Sequence, residues 1–316
     1  MHCLWQTGPA WGLFLLILSG CTAPQTRLAL EQPSGLPLQA AVTGVPFYPQ
    51  DKYYCGPASL AMMLTWAGIP ANQDDIATQI YTPGRLGTLP LDILAGARRN
   101  GALAVEVSSL HDMLAELAAG NPVMVFQNLG LQIWPQWHFA VAVGYALPEE
   151  NLVLHSGLDP QRITNLNAFE RTWDRADYWA ITVTSPDHLP AQATETAVLK
   201  AAAGLERAEQ YAAAISAYKA IPGRWPKSII ARMGLGNTEF KLGNYAAATA
   251  AFREATLIDD AYAPAWNNLA NALAHQDLYE EAIAAARKAV MLSSDNNDIY
   301  RTTLEEITAR KLIPVK

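Results

Sequence analysis

The chain has 316 residues and a formal net charge of −7, a length that suggests about two domains. No basic cluster or stripe of stacking aromatics is present, which argues against nucleic acid as a partner. No Cys/His spacing resembles a zinc site and no phosphate-cradling glycine loop appears, so no cofactor is implied.

Residues 11–20 form a short apolar run ended by small residues and followed by Cys21. The run is too short to span a bilayer as a helix and reads as a secretory h-region. Leu18-Ser19-Gly20-Cys21 resembles a bacterial lipoprotein lipobox. That resemblance implies cleavage before Cys21 and lipidation of its thiol. With Thr22 next, rather than Asp, it implies an outer-membrane anchor facing the periplasm. Residues 1–10 lack Lys and Arg, although such a region is normally basic, and an uncleaved apolar tail is the competing reading. Residues 1–21 are therefore expected to be a signal peptide. Residues 22–44, with little periodic pattern, are expected to be a tether between lipid and domain. Of the three cysteines, Cys3 would leave with the signal and Cys21 would carry lipid. Cys55 would remain as the free thiol, with no disulfide framework.

Cys55 sits in Gln50-Asp51-Lys52-Tyr53-Tyr54-Cys55-Gly56-Pro57-Ala58, directly before an apolar helical stretch. Pro is tolerated in the first turn of a helix, so the thiol is placed at a helix N-terminus. Unpaired N–H groups and the helix dipole favour a negative charge there, and the expectation is an accessible thiolate. Helical patterns follow at roughly 55–67, 72–81, 91–99 and 109–119, then strands at about 122–127, 138–145 and 151–155. A helical turn at 169–173 and a closing strand at 178–183 complete an α+β domain. His138 stands at the mouth of the second of these strands, where a general base would be held rigidly. His155 competes for that role but lies along a strand that runs into a turn.

Gln–x4–Cys-Gly-Pro-Ala-x-Leu followed by a Trp-His-Phe-x-Val strand resembles the papain-like cysteine peptidases related to the double-glycine leader peptidases of bacteriocin exporters. The resemblance implies Cys55 as nucleophile, His138 as base and Gln50 as an oxyanion donor. The family usually places an Asp at the end of the next strand to orient the base; here that position is Ser156. Asp159, three residues on, is the carboxylate expected to swing in, with Ser156 or a backbone carbonyl as the alternatives. Trp134 and Trp137 flank the His138 loop as core, cleft wall or substrate groove. Residues 45–184 are read as this papain-like domain.

Ser185-Pro186-Asp187-His188-Leu189-Pro190 marks a composition break, and 185–194 reads as a linker. Beyond it, Tyr211 recurs as Tyr245 and Tyr279, Ala214 as Ala248 and Ala282, and Leu235 as Leu269, a period of 34. The pattern resembles tetratricopeptide (TPR) repeats. It predicts three helix pairs at about 195–228, 229–262 and 263–296 and a closing helix to about 311, an all-α TPR solenoid over 195–312. An unrelated alanine-rich bundle is the alternative. Such repeats form a concave groove for a protein partner. Two functions follow as expectations: a cysteine peptidase acting on a peptide or protein substrate, or a catalytically weak envelope adaptor working through its repeats. A transglutaminase-like acyl transfer also uses Cys and His, but places the pair much closer in sequence. Membrane contact is expected through the lipid alone.

Overall fold

The computed structural model of the chain describes residues 23–33, 35–50, 53–85, 87–293 and 298–312. The expected signal peptide, with Cys21, lies outside the described residues. The expected tether is corrected by the structure. Pro24 opens a helix, α1 (Pro24–Glu31), and Gln39–Ala41 forms a strand, β1. The backbone N–H groups of Gln25 and Thr26 have no helical carbonyl to reach. They donate instead to the two carboxylate oxygens of Glu170, at 3.0 and 2.6 Å. β1 pairs with residues 144–146, where a Cβ on Gly144 would stand 2.7 Å from the Ala40 carbonyl oxygen. An eight-residue helix and a three-residue strand are too short to show a period, and tertiary partners stabilise both.

The first two elements are followed by α2 (Cys55–Trp66), α3 (Gln73–Ile80), α4 (Pro90–Arg99), β2 (Leu103–Glu106) and α5 (Leu110–Ala118). Then come β3 (Val123–Asn128), β4 (Trp137–Ala146), β5 (Asn151–Ser156), β6 (Asp159–Asn165), α6 (Leu166–Asp174) and β7 (Ala180–Thr184). The strands make one antiparallel sheet in the order β2-β7-β3-β4-β5-β6, with β1 also against β4. Both faces are covered. Phe139, Val141 and Val143 of β4 meet α2, α3 and α4, while the alternate residues Ala140 and Ala142 meet α1, α5 and α6. This two-sided burial explains why β4 reads as a continuous apolar run. For the same reason α2, buried at every position from Gly56 to Leu64, is apolar all round. Besides β1, two strands are absent from the sequence reading: β2, only four residues long, and β6, which is exposed and polar and has no apolar period.

The second domain pairs α7 (Glu195–Arg207) with α8 (Tyr211–Arg224), α9 (Ile229–Lys241) with α10 (Tyr245–Ile258) and α11 (Ala263–Ala274) with α12 (Tyr279–Leu292). It closes with α13 (Asp298–Lys311). The helix pairs fall where the 34-residue period places them. Their close approach needs bare backbone: a Cβ on Gly236 would stand 2.4 Å from the Phe252 ring, and one on Gly234 equally close to Tyr218. The expected linker is a fixed strap. Glu116, 1% exposed, accepts from the N–H groups of Ala191 and Gln192 at 3.0 and 2.6 Å, and Arg224 donates to the Pro190 carbonyl at 2.7 Å. Leu103 and Val105 of β2 share a core with Val198, Ala201 and Leu205 of α7, so the repeats pack directly on the sheet edge. Among the described residues no helix is long and apolar enough to cross a membrane.

Candidate active site

Cys55 is the first residue of α2 and is partly exposed. The chain reaches it through a left-handed Tyr53, φ +74°, and Tyr54 stacks on Tyr81 with ring centres 5.5 Å apart. Gly56 lets the segment around Thr88 close over the helix start, since a Cβ there would lie 2.7 Å from the Thr88 Cβ. Three backbone N–H groups, of Phe139, Gly56 and Cys55 itself, act on the sulfur and pull its pKa down; burial outweighs them, so the net shift of the thiol is upward. The expected ready-made thiolate is therefore corrected: the helix start supplies donors, but the packing that builds the site also removes the water a thiolate needs.

His138 is the second residue of β4, opposite Gln127 on β3. Its Nε2 lies 2.9 Å from the Ser156 hydroxyl, and Ser156 is 4% exposed at the end of β5. Burial pushes the imidazole pKa down to about 4, and the positive charge of Arg162 on β6 adds to the shift. At neutral pH the ring is uncharged. Asp159, expected to orient the base, is an exposed residue beyond the Gly157 turn whose Oδ1 accepts from the Gln161 N–H at 3.0 Å. The hydrogen-bond partner of the ring is Ser156, the residue one would read as the missing acid. His155, the other candidate base, has its Nε2 3.3 Å from the Val45 carbonyl oxygen and its ring edge-on to Phe47. It projects from the sheet face opposite to Ser156.

Gln50, 7% exposed, is latched at both ends. Its backbone N–H donates to the Gly157 carbonyl at 3.0 Å, and its Oε1 accepts from the Gly157 N–H at 2.9 Å. Its Nε2 donates to the Ser59 hydroxyl at 3.1 Å. An amide nitrogen carries two hydrogens, so one remains for a ligand. Nothing in the sequence pointed to Ser59 or Gly157; their roles arise because α2 and the β5–β6 turn meet at Gln50.

Gln50, Cys55 and His138 line one open cleft of about 930 Å³. Thr88, Leu89 and Pro90 form one wall, and Phe126, Trp137 and Phe139 lie on the other. The second wall is stiffened by stacking, with Phe126 at 5.1 Å from Trp137 and 4.4 Å from Phe139. Among the described residues no group of three His, Cys, Asp or Glu side chains is arranged to hold a metal ion.

Residues 42–181 match the model of the peptidase C39-like family, and residues 199–264 and 263–296 match tetratricopeptide-repeat models. No curated protein matches the chain. Among solved structures, a candidate C39-like peptidase from Bacillus anthracis is 20% identical, covering 46% of this chain and 97% of that one, with a TM-score of 0.41. The peptidase domain of Streptococcus ComA, a bifunctional ABC transporter, is 19% identical over 45% of this chain and 98% of that one, TM-score 0.37. The Yersinia enterocolitica type III secretion chaperone SycD, solved with a peptide of the translocator YopD, is 17% identical over 38% and 98%, TM-score 0.35. The first part of the chain is therefore similar to the peptidase C39-like family over residues 42–181, and the second to tetratricopeptide repeats over 199–296.

Proposed function

We propose that the first domain is a thiol peptidase. With Nε2 of His138 taken up by Ser156, Nδ1 is the ring nitrogen that would serve the thiol as base. Nδ1 takes the Cys55 proton as the sulfur attacks a peptide carbonyl carbon. The oxyanion receives hydrogen bonds from the second Nε2 hydrogen of Gln50 and from the Cys55 backbone N–H. The imidazolium then protonates the leaving amine, leaving a thioester on Cys55. Water, deprotonated by the same nitrogen, hydrolyses the thioester to a carboxylic acid and restores the thiol. Because thiol and imidazole both rest uncharged, proton transfer accompanies attack rather than preceding it. The observation that carries this reading is the opening of Gln50, Cys55 and His138 onto one cleft.

The repeats would hold a protein partner or substrate beside the cleft, and a lipid on Cys21 would keep both in the bacterial envelope, at the outer membrane facing the periplasm. In peptide hydrolysis, Cys55→Ala and His138→Ala should each abolish activity, and Gln50→Ala should cost on the order of 10²–10³ in rate. Undiminished hydrolysis by Cys55→Ala would overturn the mechanism. One observation favours a second reading, a weakly active adaptor: the base is oriented by a hydroxyl, with no carboxylate bonded to it. Complementation of a deletion strain by Cys55→Ala separates the two, since an adaptor would be fully rescued. Loss of membrane fractionation in Cys21→Ser tests the anchor.

A further inference from the structure

The loop between β3 and β4 carries a run of exposed apolar side chains. Leu131, Ile133 and Trp134 are 66%, 85% and 79% exposed, and Leu129 is 41% exposed. No Asp, Glu, Lys or Arg occurs from Leu129 to Phe139. The neck of the loop is rigid. The Asn128 side-chain oxygen, on a residue 1% exposed, accepts from the N–H groups of Gly130 and Gln136 at 3.0 and 2.9 Å. The Leu129 N–H donates to the Gln136 carbonyl at 2.8 Å. The tip closes on itself, with the Trp134 N–H on the Leu131 carbonyl at 3.0 Å. A rigid loop whose apolar side chains all point to water is not explained by its own packing.

The catalytic cleft does not account for the tip. Pro135, Gln136 and Trp137 line the cleft, whereas Leu131, Ile133 and Trp134 do not. The covalent geometry points instead to a bilayer. Two residues, Thr22 and Ala23, separate Cys21 from Pro24, a span of at most about 11 Å of chain, and α1 is fastened to Glu170 from Gln25 onward. The loop neck is fastened to the end of the same helix, where Arg175 donates to the Asn128 carbonyl at 3.2 and 3.0 Å. Glu170 lies on α6 and Arg175 caps its C-terminal end, five residues on, about 7.5 Å of helix rise. A lipid on Cys21 would therefore hold the bilayer within reach of the loop, with no tether to keep it away.

We propose that the tip of this loop, residues 129–134, docks in the interfacial layer of a lipid bilayer and holds the mouth of the cleft at the membrane surface. Leu, Ile and Trp suit that layer, where an amphipathic indole is favoured. The orientation argument rests on the anchor reading of Cys21; the loop's own affinity for lipid does not. The consequence for the proposed peptidase is a substrate presented close to the membrane.

The test uses residues 23–316, which contain every described element and carry no lipid, mixed with phosphatidylethanolamine/phosphatidylglycerol vesicles. The protein should co-sediment with the vesicles with little dependence on salt, as apolar docking does. Trp134→Asp and Ile133→Asp should each weaken binding by at least tenfold, with circular dichroism unchanged. Cys55→Ala should bind as the parent does, so loss of the peptidase reading leaves this result standing. Wild-type protein that stays in the supernatant would overturn the proposal. So would Trp134→Asp that binds normally, or that loses cleavage of a soluble peptide in the absence of vesicles, an outcome assigning the tip to the substrate.

Discussion

Replacing Ser156 with Asp tests how the His138 base is held. The hydroxyl it replaces lies 2.9 Å from Nε2 and is 4% exposed, so the new carboxylate would face the imidazole from a largely buried position. Two unit charges about 4 Å apart at an effective dielectric of 20 interact by about 4 kcal/mol, equivalent to roughly three pKa units. Burying the carboxylate takes back part of that gain. The imidazole, which burial and Arg162 hold at about 4, should therefore titrate roughly two units higher, near 6, in Ser156→Asp. The stability consequence has a definite sign. In the wild type the folded pKa is below the unfolded value, so between the two the unfolded chain binds the extra proton. Stability is complete above about 6.5 and falls as pH drops towards 4, by up to about 3 kcal/mol. In Ser156→Asp most of that acid-side loss from His138 should vanish. The assay is the NMR titration of the imidazole C–H resonance, with urea unfolding measured across the same pH range. A wild-type His138 titrating near 6.5, or a folded Ser156→Asp with an unmoved His138, would refute the reasoning.

Three further outcomes follow from the packing. Because burial raises the Cys55 thiol, its alkylation by iodoacetamide should accelerate only above about pH 8.5, the free-thiol value; rapid labelling at pH 6 would contradict this. Glu170→Ala removes two charge-assisted bonds to the start of α1 and should cost roughly 3–5 kcal/mol in urea unfolding. Hydrogen exchange over residues 24–31 should rise at the same time, and continued protection there would show that another group holds the helix. Gly236→Val places side-chain carbons against the Phe252 ring and should destabilise the repeats by about 1–3 kcal/mol, read as an earlier unfolding transition.

Much of the architecture was determined by local sequence. The 34-residue recurrence at Tyr211, Tyr245 and Tyr279 reports contacts between neighbours in the chain, so helix pairs α7–α12 fall where the period puts them. The Cys-Gly-Pro start of α2 and the apolar run of β4 are likewise legible, because a Pro in the first helical turn and two-sided burial each leave a local mark. What depends on distant partners is not marked. Gln25 and Thr26 look like tether residues until Glu170, far along the chain, receives their N–H groups. The 185–194 segment looks like a linker until Glu116 takes up Ala191 and Gln192. At the candidate site the residue types of Gln50, Cys55 and His138 were readable. Only the tertiary structure decides that His138 meets Ser156 while Asp159 turns to its own strand. Only the tertiary structure buries the thiol and the imidazole together, and that burial, more than the helix dipole or any neighbouring charge, sets their protonation.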